Sequence, residues 1–418
     1  MLLLGATTQA QTGNSWINYD LDYAKIVTGK DDIYRVSFES LENAGMTVAG
    51  ADVNKMRLYH RGEQVAIEVG DGGDGTFDAG DYIEFFGRRN DGVSDVELFN
   101  RPRDQIHQYL NLFSDSTAFF FTVDTGGQDG LRISSSDESI AGLTPITSHI
   151  NEVLEVYTSE FSFGQFYPIG NPSGETKLSK YDAGQMFVGD TIMRNEITIA
   201  NGKTFRDFRF DGLGLRQESD GKPELEVQIV GFNNRRHNVS IFVGPDTDNL
   251  REIKRDLHFN YSDFIEPRSQ VEWTDVSSQG RLIVRLEVIG FEEVPDDRVA
   301  VSYIMVNYPE RLDIEAASEK TFFIPPSTGN QLVEVTNAVG NLSAWDVTDY
   351  RNPIKIATNQ SGTTLSFVVP ANSEQRNIFV RREDGGSGIQ NRPAELMNFR
   401  YNRENLVGNN FVIISHPF

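Results

Sequence analysis

The chain has 418 residues, and 61 Asp plus Glu against 38 Lys plus Arg give it a formal net charge of −23 at pH 7. Such an acidic chain repels phosphate backbones and anionic lipid, which argues against nucleic acid as a partner. The sequence has no cysteine, which excludes disulfides, thiolate zinc sites and a cysteine nucleophile within this chain.

The amino terminus, residues 1–13, begins MLLLGATTQAQ. Leu2 to Leu4 resemble the end of a signal-peptide core, and Thr8 and Ala10 suit the small positions before a cleavage site. A basic region before the core is missing, so a disordered terminus is the alternative. We expect an exported protein. No apolar run approaches the ~20 residues that a spanning helix needs, so we expect no direct membrane insertion.

Strand patterns dominate the rest of the chain. Lys55–Val69 alternates apolar and polar residues, and Arg61-Gly62 interrupts it as a hairpin turn would. Further short strands are predicted at Phe119–Val123, Leu225–Val230, Val239–Val243, Leu282–Ile289, Val299–Val306, Leu332–Val335 and Thr364–Val368. Turn residues separate these runs, which favours β-sandwiches or jelly rolls over α/β folds.

Helical patterns are few. Ser37–Ala44 starts with a residue suited to an N-cap and is followed by Gly45, which predicts one short helix. Arg103–Leu112 is a weaker second candidate.

These patterns divide the chain into β modules. The first module spans residues 14–140, the second spans 151–311 as a jelly-roll-like sandwich, and the third is a small β domain at 316–393. Residues 394–418 follow as a linker and a strand. We therefore predict a mainly β protein of tandem sandwich or jelly-roll-like modules with few short helices.

The last segment contains a continuous apolar run, Phe411–Ser415. Such a run is typical of a strand buried on both faces of a parallel sheet. It is either the first strand of a further domain or an added edge strand of the third module, and we favour the first interpretation.

The densest polar cluster lies between residues 71 and 84, DGGDGTFDAGDYIE. Asp71, Asp74, Asp78 and Asp81 alternate with glycines, and hard cations such as Ca²⁺ want several such oxygens. The spacing fails as an EF-hand, because position twelve counted from Asp71 is Tyr82. A wide turn whose aspartates cap their own backbone explains the same residues, and we favour it over a Ca²⁺ site.

Other chemistry-bearing patterns are weak. The pairs Glu292-Glu293 and Asp296-Asp297 lie in a predicted loop, where we expect solvated charge rather than a glycosidase pair. Ser415 and His416 are neighbours on a predicted strand, so they point to opposite faces and form no dyad. Gly385 to Gly388 lack the strand and lysine of a phosphate-binding loop.

Aromatic side chains offer a further candidate surface. Phe161, Phe163, Phe166 and Tyr167 are clustered, and three tryptophans, Trp16, Trp273 and Trp345, lie elsewhere. Exposed rings stack on sugars, but alternation along strands buries many of them, so we favour packing.

Several segments resemble, in order, the amino-terminal region of gingipain-like cysteine peptidases of Bacteroidetes. More narrowly they are similar to the PorU-type sortases of the type IX secretion system. The segments are Arg57–Ile67, Asp74–Gly92, Val301–Arg311, Trp345–Ile356 and Phe411–Phe418, the last resembling the first strand of the caspase-like peptidase domain.

This resemblance implies a parent polypeptide that cleaves surface cargo, with its catalytic His and Cys beyond residue 418. No catalytic residue is assigned here, and we expect no enzymatic activity from this chain. It would position the downstream peptidase domain of the same polypeptide and contact an outer-membrane secretion-system protein at the cell surface. The alternative is a secreted carbohydrate-binding or adhesive β-sandwich protein.

Overall fold

The fold is known from a computed structural model, which describes residues 14–164, 180–294, 296–383 and 390–399, with only the backbone at Gln390. Several predicted features lie outside the described residues: the signal-peptide remnant at 1–13, Phe166, Tyr167, the Gly385–Gly388 turn, the Phe411–Ser415 strand and the Ser415-His416 pair.

The prediction of a mainly β protein is confirmed. The described strands are β1 Tyr23–Thr28, β2 Asp32–Ser37, β3 Ala51–Asp52, β4 Met56–His60, β5 Glu63–Val65, β6 Glu68–Gly70, β7 Thr76–Phe77, β8 Tyr82–Gly87, β9 Thr117–Val123, β10 Ser134–Ser136, β11 Ser148–Val156, β12 Glu160–Phe163, β13 Gln185–Val188, β14 Ile192–Arg194, β15 Phe205–Phe210, β16 Glu224–Gly231, β17 Arg236–Gly244, β18 Arg251–Asn260, β19 Phe264–Ile265, β20 Arg268–Gln270, β21 Leu282–Val288, β22 Asp297–Arg311, β23 Glu319–Ile324, β24 Gln331–Val335, β25 Leu342–Asp346, β26 Ile354–Ile356, β27 Asn359–Ser361, β28 Thr364–Val369, β29 Arg376–Arg382, β30 Gln390–Asn391 and β31 Glu395–Met397. Each strand predicted from alternation falls on one of these.

Helices are short. The predicted helix exists as α1 Phe38–Asn43, and the Ser37 hydroxyl caps it by accepting from the Ser40 amide. The prediction at Arg103–Leu112 is wrong, because only a single 3₁₀ turn forms there. A helix that the sequence did not predict is α2 Glu196–Ala200. The 3₁₀ turns are Asn14–Trp16, Val53–Lys55, Gly92–Leu98, Pro102–Asp104, Leu213–Leu215, Glu218–Asp220 and Trp273–Asp275.

The first module is a sandwich of two sheets, in the orders β31-β1-β9-β4-β5 and β30-β2-β8-β6. Its core holds Phe77, Phe85, Phe119 and Phe121, all fully buried. Each such ring contributes about 2 kcal/mol through burial. The predicted hairpin is present between β4 and β5, where Arg61 and Gly62 both adopt positive φ, as a tight two-residue turn requires.

The carboxyl end of the described chain returns to this first module. β30 pairs with β2, and β31 pairs with β1, so residues 390–397 supply an edge strand to each sheet. The prediction of a linker from residue 394 onward is therefore wrong for residues 395–397. Because the third module separates these strands from β1 and β2 in sequence, local patterns carried no sign of the pairing.

The second module is also a sandwich of two antiparallel sheets. One sheet has the order β11-β22-β16-β19 with β14 and β20 attached, and the other has the order β15-β21-β17-β18. The 15-residue strand β22 pairs with β11, β14 and β16 in the first sheet. The sheets enclose an aliphatic core that includes Val227, Ile241, Leu286 and Ile304.

The third module has a five-stranded sheet, β10-β26-β25-β29-β23, facing a three-stranded sheet, β24-β28-β27. The edge strand β10 comes from the predicted first module and pairs in parallel with β26. The predicted boundary at residue 140 therefore differs from the strand pairing, which joins residues 134–136 to the third module.

An arm of the first module, residues 88–116 between β8 and β9, packs on the second module. Phe99 and Tyr181 form an isolated parallel β-bridge, and the backbone amide of Asn100 donates to the Tyr181 carbonyl at 2.9 Å. The apolar side chains of the arm share a cluster with Met186, Val188 and Val230. Residues 103–112 are irregular because their apolar side chains, Ile106, Leu110 and Leu112, pack in this cluster.

Candidate functional site at the module junctions

Three of the four aspartates predicted as Ca²⁺ ligands, Asp71, Asp74 and Asp81, accept hydrogen bonds from their own loop. Asp71 accepts the amides of Gly73 at 3.1 Å and Gly75 at 3.0 Å, and Asp74 accepts the amide and hydroxyl of Thr76. Asp81 accepts the amide of Asp78 at 2.7 Å. These are the contacts expected of a capped turn.

No group of three or more His, Asp or Glu side chains that could hold a metal ion occurs among the described residues. The hydrogen bonds within the loop are those that the turn interpretation describes. Gly72, Gly73, Gly75 and Gly80 all adopt positive φ, which shows that the glycines serve the turn itself.

The aromatic candidates divide between packing and exposure. Trp345 is 1% exposed, and Trp273 donates its indole N–H to the Gly221 carbonyl at 2.8 Å. Phe161 packs on Phe187, whereas Phe163 is 69% exposed. The first three rings are therefore packed, whereas the Phe163 ring is largely exposed and contacts Phe161 edge to face.

The prediction of solvated loop charge is wrong for Asp297. This side chain is fully buried and lies 2.6 Å from Nδ1 of the equally buried His237, whose Nε2 lies 2.7 Å from the Tyr261 carbonyl. Both groups that face the imidazole can accept a hydrogen bond. Nε2 therefore carries a proton that it donates to the Tyr261 carbonyl, and a second proton lies between Nδ1 and the Asp297 carboxyl group. Asp297 thus ties β22 to β17 within the second module.

The junction between the first and third modules buries an ion pair. Arg381 and Asp32 are 2% and 1% exposed, and their Nη1 and Oδ1 atoms lie 3.1 Å apart. The same Nη1 donates to the Ile33 carbonyl at 3.1 Å. Along β29, Ile378 and Val380 face the core of the third module, so alternation directs Arg381 outward onto the first module.

Apolar side chains surround this ion pair. Ile33 and Phe86 from the first module meet Trp345, Val347 and Phe379 from the third. Phe86 and Phe379 pack edge to face with ring centroids 5.5 Å apart.

Main-chain pairing extends the same junction. The Ala66 amide donates to the Arg351 carbonyl at 2.7 Å, in addition to the parallel pairing of β10 with β26. Two modules joined by main-chain bonds, an apolar cluster and a buried ion pair are held in one orientation.

His60 lies at the rim of this junction. Its Nδ1 is 2.9 Å from the Tyr350 hydroxyl, its Nε2 is 2.9 Å from the Thr117 hydroxyl, and its ring stacks on Phe119. Burial, with the nearby charges of Arg61 and Arg351, lowers the pKa of His60 to about 3. The ring is therefore neutral in the folded protein at neutral pH.

The second and third modules meet at another buried polar cluster, centred on Glu310. His149 Nδ1 accepts the Phe323 amide, so Nε2 carries the proton and donates to Glu310 at 3.1 Å. Lys320 lies 2.7 Å from Glu310, and Tyr308 donates to it at 2.7 Å. Burial alone would raise the pKa of Glu310, but these hydrogen bonds lower it to about 2.

Sequence reasoning missed the residues at both junctions. Asp32 and Arg381 are 349 positions apart in a chain whose charges are mostly at the surface, and no local pattern indicates that they pair. One usable signal was present: Arg381 follows Ile378, Phe379 and Val380 on a strand apolar on both faces, and such a strand is covered on both sides.

The described residues include no helix with the length and apolar character that crossing a membrane requires.

No protein-family model matches the sequence, and no curated protein matches it. Among solved structures, the chain is similar to dimeric latent PorU from Porphyromonas gingivalis, with a TM-score of 0.57 and 12% identity. The similarity covers 90% of this chain and 33% of that one, so the chain spans about a third of the length of PorU. At this identity the likeness shows the fold.

Two weaker similarities carry no argument about fold or function. The extracellular domain of ANXUR1 from Arabidopsis thaliana has a TM-score of 0.22 and 7% identity, covering 70% of this chain and 80% of that one. An aminopeptidase from a Thaumarchaeota archaeon has a TM-score of 0.17 and 10% identity, covering 44% and 35%.

Proposed function

We propose that this chain is the non-catalytic amino-terminal region of an exported gingipain-like cysteine peptidase of the type IX sortase kind. The observation that carries the proposal is the similarity in fold to PorU, which extends over 90% of this chain and only 33% of that one. The ordered sequence resemblances, from Arg57–Ile67 to Phe411–Phe418, support the same assignment.

In this proposal the modules hold and orient a peptidase domain that follows in the same polypeptide. The junctions suit that role, because a domain can be positioned only by a support that is itself fixed. Arg381 with Asp32, and Glu310 with His149 and Lys320, restrain the third module against its two neighbours. Cleavage would depend on a cysteine outside this chain, since the sequence has none.

The proposed location is the cell surface, with an outer-membrane protein of the secretion system as the external partner. The Leu2–Leu4 run supports export, and the net charge of −23 disfavours nucleic acid as a partner.

The coding sequence downstream of Phe418 tests the proposal. We expect the reading frame to continue into an α/β domain that contains a histidine and a cysteine. A stop codon followed by unrelated sequence would contradict it. Glycan binding that is lost in Phe163→Ala and kept in Phe113→Ala, a second exposed phenylalanine, would favour the carbohydrate-binding alternative instead.

A further inference from the structure

Three arginines meet around Tyr350 at the edge of the junction between the first and third modules. The guanidinium carbons of Arg88 and Arg351 lie 5.1 and 4.9 Å from the centroid of the Tyr350 ring. Arg61 lies close by, because Asp91 accepts from Arg61 at 2.8 Å and is 3.5 Å from Arg88. The three side chains therefore form one cluster, which we call the arginine patch.

The arginine patch draws on both modules. Arg351 and Tyr350 belong to the third module, and the other two arginines belong to the first. The Ala66 amide donates to the Arg351 carbonyl at 2.7 Å, and the Tyr350 hydroxyl lies 2.9 Å from His60 Nδ1. Docking of the two modules therefore assembles the patch and fixes the ring at its centre.

The patch keeps hydrogen-bond donors available. The side chain of Arg88 is 36% exposed, and among the described residues it donates no hydrogen bond. Its nearest carboxylates, Asp91 and Asp31, lie at 3.5 and 3.9 Å. A guanidinium that stacks on an aromatic ring keeps its N–H edge for a bidentate contact with a carboxylate.

The local charge is positive where the three arginines meet. Burial is the main cause of the low pKa of His60, and the three arginines of the patch lower it further, while Asp91 opposes them. Glu63 lies 2.8 Å from Arg351, but this carboxylate is 58% exposed, and exposed pairs are weak. The patch therefore attracts an anionic group, although the chain as a whole has a net charge of −23.

Two exposed apolar side chains flank the patch. Phe113 is 71% exposed and Val93 is 48% exposed. Asn90 links the patch to the first of them, since its Oδ1 accepts from Arg61 at 3.0 Å and its Nδ2 donates to the Ser114 carbonyl at 2.9 Å. The Val93 amide donates to the same carboxylate that holds Arg61. Arginine and aromatic side chains are enriched at protein interfaces, so the surface has the composition of one.

We propose that the arginine patch, together with Phe113 and Val93, is the docking site for an acidic peptide segment of a partner protein. Carboxylates of that segment bind the guanidinium groups, and an apolar side chain beside them packs on Phe113. The apolar flank favours a peptide over a phosphate backbone or a lipid headgroup. Because the segment contacts both modules, its binding also stabilises their docking. The inference rests on these contacts and does not depend on the proposed function.

Peptide binding to the full chain tests the proposal. The probe is a fluorescein-labelled pool of hexapeptides with two Asp or Glu positions and two Leu or Phe positions, and the tightest binder is then measured by fluorescence anisotropy. Arg88→Ala should weaken its binding about tenfold. The control is Arg206→Ala in the second module, which should leave binding unchanged. Arg206 is 38% exposed, and its guanidinium carbon lies 5.6 Å from the centroid of the Phe208 ring.

Phe113→Ala gives a second test, and the fold tolerates this truncation because the ring is mostly in solvent. The variant should bind the same peptide about threefold more weakly. Phe163→Ala is the matched control, since that ring is 69% exposed and lies in the second module, and it should leave binding unchanged. Equal binding by the two phenylalanine variants would count against the proposed site.

The proposal is overturned if no peptide in the pool binds in a manner that depends on Arg88. Equal binding of peptides whose carboxylates are replaced by amides would also overturn it. Binding of heparin fragments or phosphatidylglycerol vesicles that depends on Arg88, without binding of peptides, would assign the patch to another class of anion. Dimers of the unmodified chain that are lost in Arg88→Ala would assign it to a second copy. Each of these last two results overturns the proposal as well.

Discussion

The third module meets its two neighbours in different ways. It follows the second module directly, since β22 leads into β23, and their junction is a hydrogen-bonded cluster around Glu310. It is also followed in sequence by β30, which belongs to the first module, and that junction adds main-chain pairing, an apolar cluster and the buried Arg381–Asp32 pair.

The difference between the two junctions lies in their chemistry and not in sequence distance, because the chain passes directly from each neighbour to the third module or back. At the junction of the first and third modules, a buried ion pair penalises every misaligned arrangement because each one leaves a charge unpaired.

The largest expected effect comes from Arg381→Ala. The substitution leaves the carboxylate of Asp32 buried with only the half-exposed Lys30 beside it, so we expect a loss of about 3 kcal/mol in the free energy of unfolding, measured with urea. Arg376→Ala on the same strand is the control. It removes a more exposed pair with Asp346 and should cost less than about 1 kcal/mol. Equal losses of unfolding free energy in the two variants would show that burial does not strengthen the dependence of Asp32 on its partner.

Acidification should destabilise both junctions. Unfolded histidine titrates near 6.5, and His60 titrates at about 3 when folded, so the unfolded chain takes up a proton between these values. The free energy of unfolding should therefore fall as the pH drops from 6.5 towards 3, by about 1.4 kcal/mol for each pH unit.

For Glu310 the corresponding window lies lower, from about 4.5 to about 2, because its folded pKa is depressed. His149, which belongs to the second junction, also has a pKa lowered by burial, so it contributes to the loss of stability below pH 6.5 as well. His60→Gln should flatten the dependence of the urea midpoint on pH between 6.5 and 4.5. An unchanged slope would mean that His60 is not the titrating group.

A smaller effect is expected from Glu310→Gln. The amide oxygen still accepts from His149, but Lys320 loses its charged partner, and that lysine is partly solvated. We expect a cost of about 1.5 kcal/mol, with His149 retained in its present tautomer as observed by NMR. A cost matching that of Arg381→Ala would remove the distinction between the junctions.

The smallest effect concerns the aspartate loop, which lies away from both junctions. Asp71→Ala removes the acceptor for two loop amides and should cost about 1 kcal/mol. EDTA should leave the melting temperature of the unmodified protein unchanged. A clear decrease would restore the Ca²⁺ interpretation.

The sequence was informative wherever local spacing determines the structure. Alternation located the strands, Ser37 located the start of α1, and Arg61-Gly62 located a hairpin, because turns and caps depend on a few neighbouring residues. Residues 103–112 were misjudged, because their conformation follows from packing on the second module.

The candidate site was largely hidden from sequence analysis. The predicted Asp71 cluster proved local, whereas the junction residues Asp32, His60 and Arg381 derive their properties from burial against distant partners. Asp297 shows the same limit, since its neighbour Asp296 pairs with Arg298 in a more exposed position. Two adjacent aspartates thus differ in burial and in partner because of the fold and not because of their local sequence.

Amide hydrogen exchange of Arg381→Ala tests most directly whether the first and third modules form one body. Exchange should accelerate together in Asp32–Ser37 of the first module and Arg376–Arg382 of the third, while Arg236–Gly244 of the second module keeps its rate. Acceleration confined to Arg376–Arg382 would contradict a shared body.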